Sequence, residues 1–118
     1  MTVLKRTSAG VILVLAAGGI IFAALSSDIT KADSGAIQGL RIFENNCAGC
    51  HFADQEASKR GPGLKNLFAR ETLPATGRPV TIENVVRQLK EPFKNMPSFV
   101  DDLSESEMEA VAGYLETL

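Results

Sequence analysis

The sequence predicts a small all-α domain, three to five helices around one site, preceded by an apolar leader or anchor helix. Three observations carry this reading. Apolar residues recur at helical period in separate stretches, and no stretch shows the period-two alternation of a half-buried strand. Both cysteines and the only histidine fall in one segment, Cys47-Ala48-Gly49-Cys50-His51, so covalent or metal chemistry is concentrated there. The amino terminus carries Lys5 and Arg6 and then a run from Thr7 to Ser27 without a charge.

A basic start before an apolar core is what export machinery reads. Small residues at Ala24 and Ser26, or at Thr30 and Ala32, suit a signal peptidase. The uncharged run is equally long enough to span a bilayer, which takes about 17–25 residues. Residues 1–32 are therefore expected to be a signal peptide or a membrane anchor, and 33–118 the functional domain. A domain of that size buries only about 60 per cent of its unfolded surface and is marginal on protein contacts alone.

Within the domain, the stretch Asp33 to Asn46 reads as a helix. Asp33 or Ser34 would cap it, and Ala36, Leu40, Phe43 and Cys47 would share its inner face, with Gly39 interrupting the pattern. From Phe52 to Val80 the punctuation of Gly61, Pro62, Gly63, Pro74, Gly77 and Pro79 predicts loops. A short helical piece is expected from Lys65 to Arg70, with Leu64, Leu67 and Phe68 turned inward. A second helix is expected from Thr81, as N-cap, to about Lys90. Ile82, Val85, Val86 and Leu89 form its apolar stripe, and Pro92 ends it. Phe93 to Val100 would be an extended loop. Ser104 and Glu107 make a capping box for a last helix bearing Val111, Tyr114, Leu115 and Leu118.

Cys-x-x-Cys-His is the attachment signature of a c-type haem. Two thiols on one helical turn can each add to one of the porphyrin's adjacent vinyl groups, and the neighbouring histidine is then held beneath the iron as its proximal ligand. The competing readings are less complete. A structural zinc site normally takes four Cys or His ligands, and this chain has three. A thioredoxin-like pair would sit in a βαβ pattern, which is not visible. A plain disulfide would leave His51 unexplained.

An iron held by His51 needs a partner on its other face. Met1 lies in the leader, and Met108 is in register with Val111 and Leu115, a packing position. Met96 lies in a loop after a helix and is fixed by Pro97; its thioether is a soft ligand that favours ferrous iron. The alternative for Met96 is a side chain filling a gap in a small core.

From about Ser34 to Leu118 the chain resembles a class I (monohaem, mitochondrial- and bacterial-type) cytochrome c. The resemblance rests on Gly39 and Phe43 before Cys47 to His51, and on Gly61-Pro62-Gly63-Leu64 with Leu67-Phe68-Ala69-Arg70 after it. Met96-Pro97 and the terminal Tyr114-Leu115 complete it. It implies one covalently attached haem c, a Pro62 carbonyl accepting from the His51 ring, Arg70 against a haem propionate, and Gly39 with Tyr114 where the first and last helices cross. It also implies export, to the periplasm or the outer face of the cytoplasmic membrane, because bacterial c-type haem is attached there. The chain departs from the family at Asn66 and Ala69, where glycine is common, which predicts a different loop backbone. It also lacks tryptophan, leaving Asn84, Arg78 or Arg87 as substitute propionate partners.

Charge is polarised. Asp101, Asp102, Glu105, Glu107, Glu109 and Glu116 lie in a terminal stretch with no basic residue, whereas 52–100 is net basic. Such a field orients encounters with charged partners in a salt-dependent way. Nothing in the pattern suggests nucleic-acid binding. The expected function is one-electron transfer with redox-protein donors and acceptors, in a respiratory or photosynthetic chain and without catalysis. A haem subunit anchored through residues 7–27 in a membrane complex, and a peroxidase or gas sensor with labile Met96, are the alternatives.

Overall fold

The computed structural model describes residues 31–118, within which Ser34–Leu118 forms one compact unit. The apolar run 7–27, with the expectations placed on it, lies outside the described residues. Among the described residues no helix is long and apolar enough to cross a membrane.

Three α-helices and one 3-10 turn build the unit. Helix α1 covers 31–46, the 3-10 turn is Leu67–Ala69, helix α2 is Ile82–Lys90 and helix α3 is Glu105–Glu116. The described residues contain no strand, only an isolated antiparallel bridge between Thr72 and Pro79. The all-α class is thus the observed one.

Helix α1 corrects two expectations. It is already helical at residue 31, so neither Asp33 nor Ser34 caps its start. Its inner face contains Gly39, Phe43 and Cys47, while Leu40 is 36% exposed and Ile37 55%. Leu40 is turned outward because α1 meets α3 at Gly39. A Cβ on Gly39 would collide with the Ala110 carbonyl oxygen and lie 2.8 Å from Tyr114 Cβ, so only glycine lets the two backbones approach this closely. One turn further on, the Phe43 and Tyr114 rings stack tilted, 5.5 Å between centroids. The expected Gly39–Tyr114 packing pair is therefore present.

Both later helices start and stop where their ends are chemically marked. Thr81 Oγ1 accepts from Asn84 N at 3.1 Å, satisfying one of the donors that a helix start leaves unpaired. Glu91 departs from helical geometry immediately before Pro92. At α3, Ser104 Oγ accepts from Glu107 N at 3.4 Å and Glu107 Oε2 accepts from Ser104 N at 2.9 Å, the reciprocal capping box. Val85, Val86 and Leu89 are buried from α2, and Met108, Val111, Ala112 and Leu115 from α3. Lys90 Nζ and Glu105 Oε1 tie these two helices at 2.7 Å across an exposed edge.

The segment Lys65 to Arg70 is shorter in its helical part than expected, three residues of 3-10 turn entered through Asn66 at φ 55°. Asparagine tolerates this left-handed conformation better than other side-chain-bearing residues. The departure from glycine at this position is thus accommodated by the residue that replaces it. The loop after α2 is not uniformly extended either: Lys94 takes φ 55°, and Ser98 Oγ and Phe99 N donate back to the Lys90 and Leu89 carbonyls, both at 3.0 Å.

Two expectations follow for the haem-bearing protein. Gly39→Val should lower its stability by about 1–3 kcal/mol through overpacking. Gly113→Ala, in mid-α3 with nothing within 4 Å of the added methyl, should raise it by about 0.5–1 kcal/mol. Thermal melting with matched haem content compares them. Separately, hydrogen bonds from the Ser104 backbone and side chain hold the Glu107 carboxyl below its ordinary 4.5. A lowered folded value gives stability that is complete above pH 4.5 and lost as pH falls through that folded value. The melting-temperature gap between wild type and Glu107→Gln should be level at neutral pH and narrow in acid.

Candidate functional site

The last turn of α1 passes directly into the five-residue motif. Cys47 N donates to Phe43 O at 2.8 Å and His51 N to Cys47 O at 2.9 Å, so helical hydrogen bonding continues through the cysteines. This puts Cys47, Cys50 and His51 on successive parts of one turn, all facing a cavity of about 1130 Å³. Cavities for small molecules usually measure about 300–1,000 Å³, so this one suits a large planar ligand.

Cys47 and Cys50 are not joined in a disulfide. Cys47 is buried, and its thiol is pushed up to about 11, mainly by burial and secondarily by Cys50. His51 is partly buried, with Nδ1 2.8 Å from the Pro62 carbonyl oxygen. A carbonyl can only accept, so Nδ1 carries the hydrogen and Nε2 is the nitrogen left to offer a metal. Pro62 is itself on the cavity wall.

Met96 lines the same cavity as His51. Its loop is pinned by the Ser98 and Phe99 bonds to the end of α2, and Phe99 is buried behind it. Met108 is in the core at 2% exposure and is not on the wall. The structure does not bring Arg70 to the wall either. Its Nη2 donates to the Gly63 carbonyl at 3.1 Å and the Lys65 carbonyl at 3.0 Å, bracing the loop that carries Pro62. Asn84 is engaged with the Pro79 carbonyl at 3.0 Å, and Arg87 lies 3.8 Å from Glu83; neither lines the cavity, nor does Arg78.

Sequence reasoning missed other wall residues. Arg60 and Lys94 are exposed residues of the cavity wall, Lys94 with its Nζ 5.0 Å from the centre of the Phe93 ring, and among the described residues no acidic side chain lines the cavity. Gln88, at helical spacing from the buried Val85, also lines the cavity, and its Oε1 is buried without a partner. The wall is otherwise built from core residues such as Phe43, Leu67, Val85 and Val111. An apolar slot, two thiols on one turn, a histidine with its outer nitrogen tied back and a thioether form a donor set that fits haem.

Residues 36–118 match the cytochrome c family. The chain belongs to that family. It is similar to a segment of cytochrome c oxidase subunit 2 of Alkalihalophilus pseudofirmus, with 33% identity over 69% of this chain and 25% of that protein. It is also similar to the chloroplastic cytochrome c6 of Chlamydomonas reinhardtii, 29% identical over 65% of this chain and 50% of that one. Cytochrome c6 of Microcystis aeruginosa is 34% identical over 65% of this chain and 89% of its own length. The chain thus spans a quarter of the oxidase subunit and half of the algal protein.

Family membership and motif together make this a monohaem class I cytochrome c with covalently attached haem c. The same geometry explains why so small a domain is adequate. The side chains on the wall would pack against a bound haem, adding to the core of a domain this small. Without haem, the domain should lose cooperative thermal unfolding, measured by calorimetry on protein produced without haem attachment; a sharp two-state transition would contradict this.

Proposed function

We propose that the chain is an exported one-electron carrier in which His51 Nε2 and Met96 Sδ would be the residues that hold the haem iron. The observation that carries this is that His51 and Met96 border one apolar cavity while the Pro62 carbonyl ties back the other ring nitrogen. When bound, the haem supplies the ferric–ferrous couple. Cys47 and Cys50 form the thioether links that tether it. The Pro62 carbonyl orients the imidazole and makes it a better donor. Met96 favours the ferrous state as a soft ligand and raises the potential. With both ligands staying bound in both states, little reorganises when an electron arrives or leaves, and no position is open to a substrate, so the chain is not an enzyme.

Arg70 keeps part of its five-donor guanidinium for a haem propionate while Nη2 braces the Gly63 and Lys65 carbonyls. Redox-protein partners are met at the cavity mouth. Phe93 is 46% exposed there and Arg60 and Lys94 supply positive charge, which steers acidic partners with a salt-dependent rate. The run 7–27 directs export, to the periplasm or outer membrane face. Similarity to a segment of an oxidase subunit favours one second reading, a haem domain held in a membrane complex through that run. Electron transfer is common to both.

A reduced alkaline-pyridine spectrum should report thioether-linked haem. The weak red absorption band of methionine-bound ferric iron should vanish in Met96→Ala and persist in Met108→Ala. The latter should instead lose about 2–5 kcal/mol of stability as a truncated core residue. The reverse pattern would move the ligand assignment to Met108. Rapid carbon monoxide binding by the reduced wild type would replace electron transfer with a sensor or peroxidase role.

A further inference from the structure

The His51 imidazole is confined by a second neighbour besides the Pro62 carbonyl. We infer that Gly61 is a positioning residue for the iron ligand, its bare Cα packing against the Nδ1–Cε1–Nε2 edge of His51 and setting the tilt of the ring. The inference rests on the reading of His51 as the iron ligand. A Cβ on Gly61 would collide with His51 Cε1 and lie 2.7 Å from Nδ1 and 2.8 Å from Nε2. Space, not backbone conformation, demands glycine here. Among the described glycines the left-handed one is Gly77, so an alanine at 61 meets no such strain.

Gly61 has little room to retreat from the ring. Its N–H donates to the Cys50 carbonyl and its own carbonyl accepts from Lys59 N–H, both at 2.9 Å. Lys59 is itself anchored, with Nζ donating to the Ala48 carbonyl at 2.9 Å and lying 4.2 Å from the centre of the Phe52 ring. The backbone at 61 is therefore tied on one side to the attachment turn and on the other to a residue bound to that turn. With a methyl at 61, the group that gives way is the imidazole, the end of a side chain with two free torsions. The Pro62 carbonyl fixes where Nδ1 points, and Gly61 limits rotation about that direction. The two adjacent residues together determine one ring plane.

That plane has an electronic consequence in the ferric state. The orientation of an axial imidazole selects which of the iron's π-symmetry orbitals is half filled, and so how spin density is distributed over the macrocycle. Proton resonances of the haem methyls report that distribution directly. Gly113 supplies a control away from the site: it lies in α3, where an added Cβ has nothing within 4 Å.

The test uses the full chain with haem attached. Gly61→Ala should reorder the ferric haem-methyl resonances, change the g-value anisotropy and shift the potential. Gly113→Ala should leave the wild-type methyl pattern. An unchanged pattern in Gly61→Ala, or an equal change in Gly113→Ala, overturns the inference. Because Gly61→Ala can also fail to fold, the ferrous wild type is read as well, where a strong Overhauser contact is expected between Gly61 Hα and His51 Hε1. If His51 Hε1 shows the large upfield shift of an axial ligand but lacks that contact, the positioning role is wrong. If the shift itself is missing, the ligand assignment fails and the inference falls with it.

Discussion

The apolar side chains of this domain pack in one core, and many of them also face a cavity. Phe43 from α1, Leu67 from the 3-10 turn, Val85 and Leu89 from α2, Phe99 from the Met96 loop, and Val111 and Leu115 from α3 are at once core and wall. Buried apolar surface is worth about 25 cal/mol per Å², and much of what this small chain can gain lies on the face each element turns inward to the haem. Every other feature of the architecture depends on that arrangement. The helices are set at distances that leave a slot open, and the loops between them carry the groups that line it.

Two kinds of constraint divide the work. The ends of α2 and α3 are determined within a few residues of sequence, by Thr81, Pro92, Ser104 and Glu107. The long segment between the motif and α2 has almost no regular structure and is shaped by bonds to the site itself. Gly61 N–H reaches back to Cys50, Leu64 N–H to Phe52 and the His51 ring to Pro62. The irregular half of the chain is therefore as closely specified as the helical half, but by polar contacts with the attachment turn instead of helical periodicity.

This division explains what could be read beforehand. The motif, the caps of the later helices and the Gly39–Tyr114 crossing are carried by residue types whose chemistry or size has few uses, and these were legible. The inner face of α1 was not read correctly, because periodicity treats Leu40 as better core material than Gly39. A helix crossing inverts that ranking when backbone must touch backbone. Arg60, Gln88 and Lys94 were missed as wall residues because nothing local distinguishes a polar residue at a cavity mouth from one in solvent. Asn66 shows the opposite case, where a recognised departure from glycine proves compatible with the left-handed turn it occupies.

The crossing at Gly39 also bears on how this domain can vary. It joins a residue near the beginning of the unit to Ala110 near its end, so nearly the whole domain, attachment turn and methionine loop included, is one large loop closed where α1 crosses α3. The entropy of closing a loop rises only with the logarithm of its length, about 0.6 kcal/mol for each doubling. Added residues at the exposed bend Pro74–Gly77, where Gly77 turns the chain back, would therefore scarcely weaken the closure. Length can drift in the bends while the frame around the haem stays the same, because the frame is latched at its two ends.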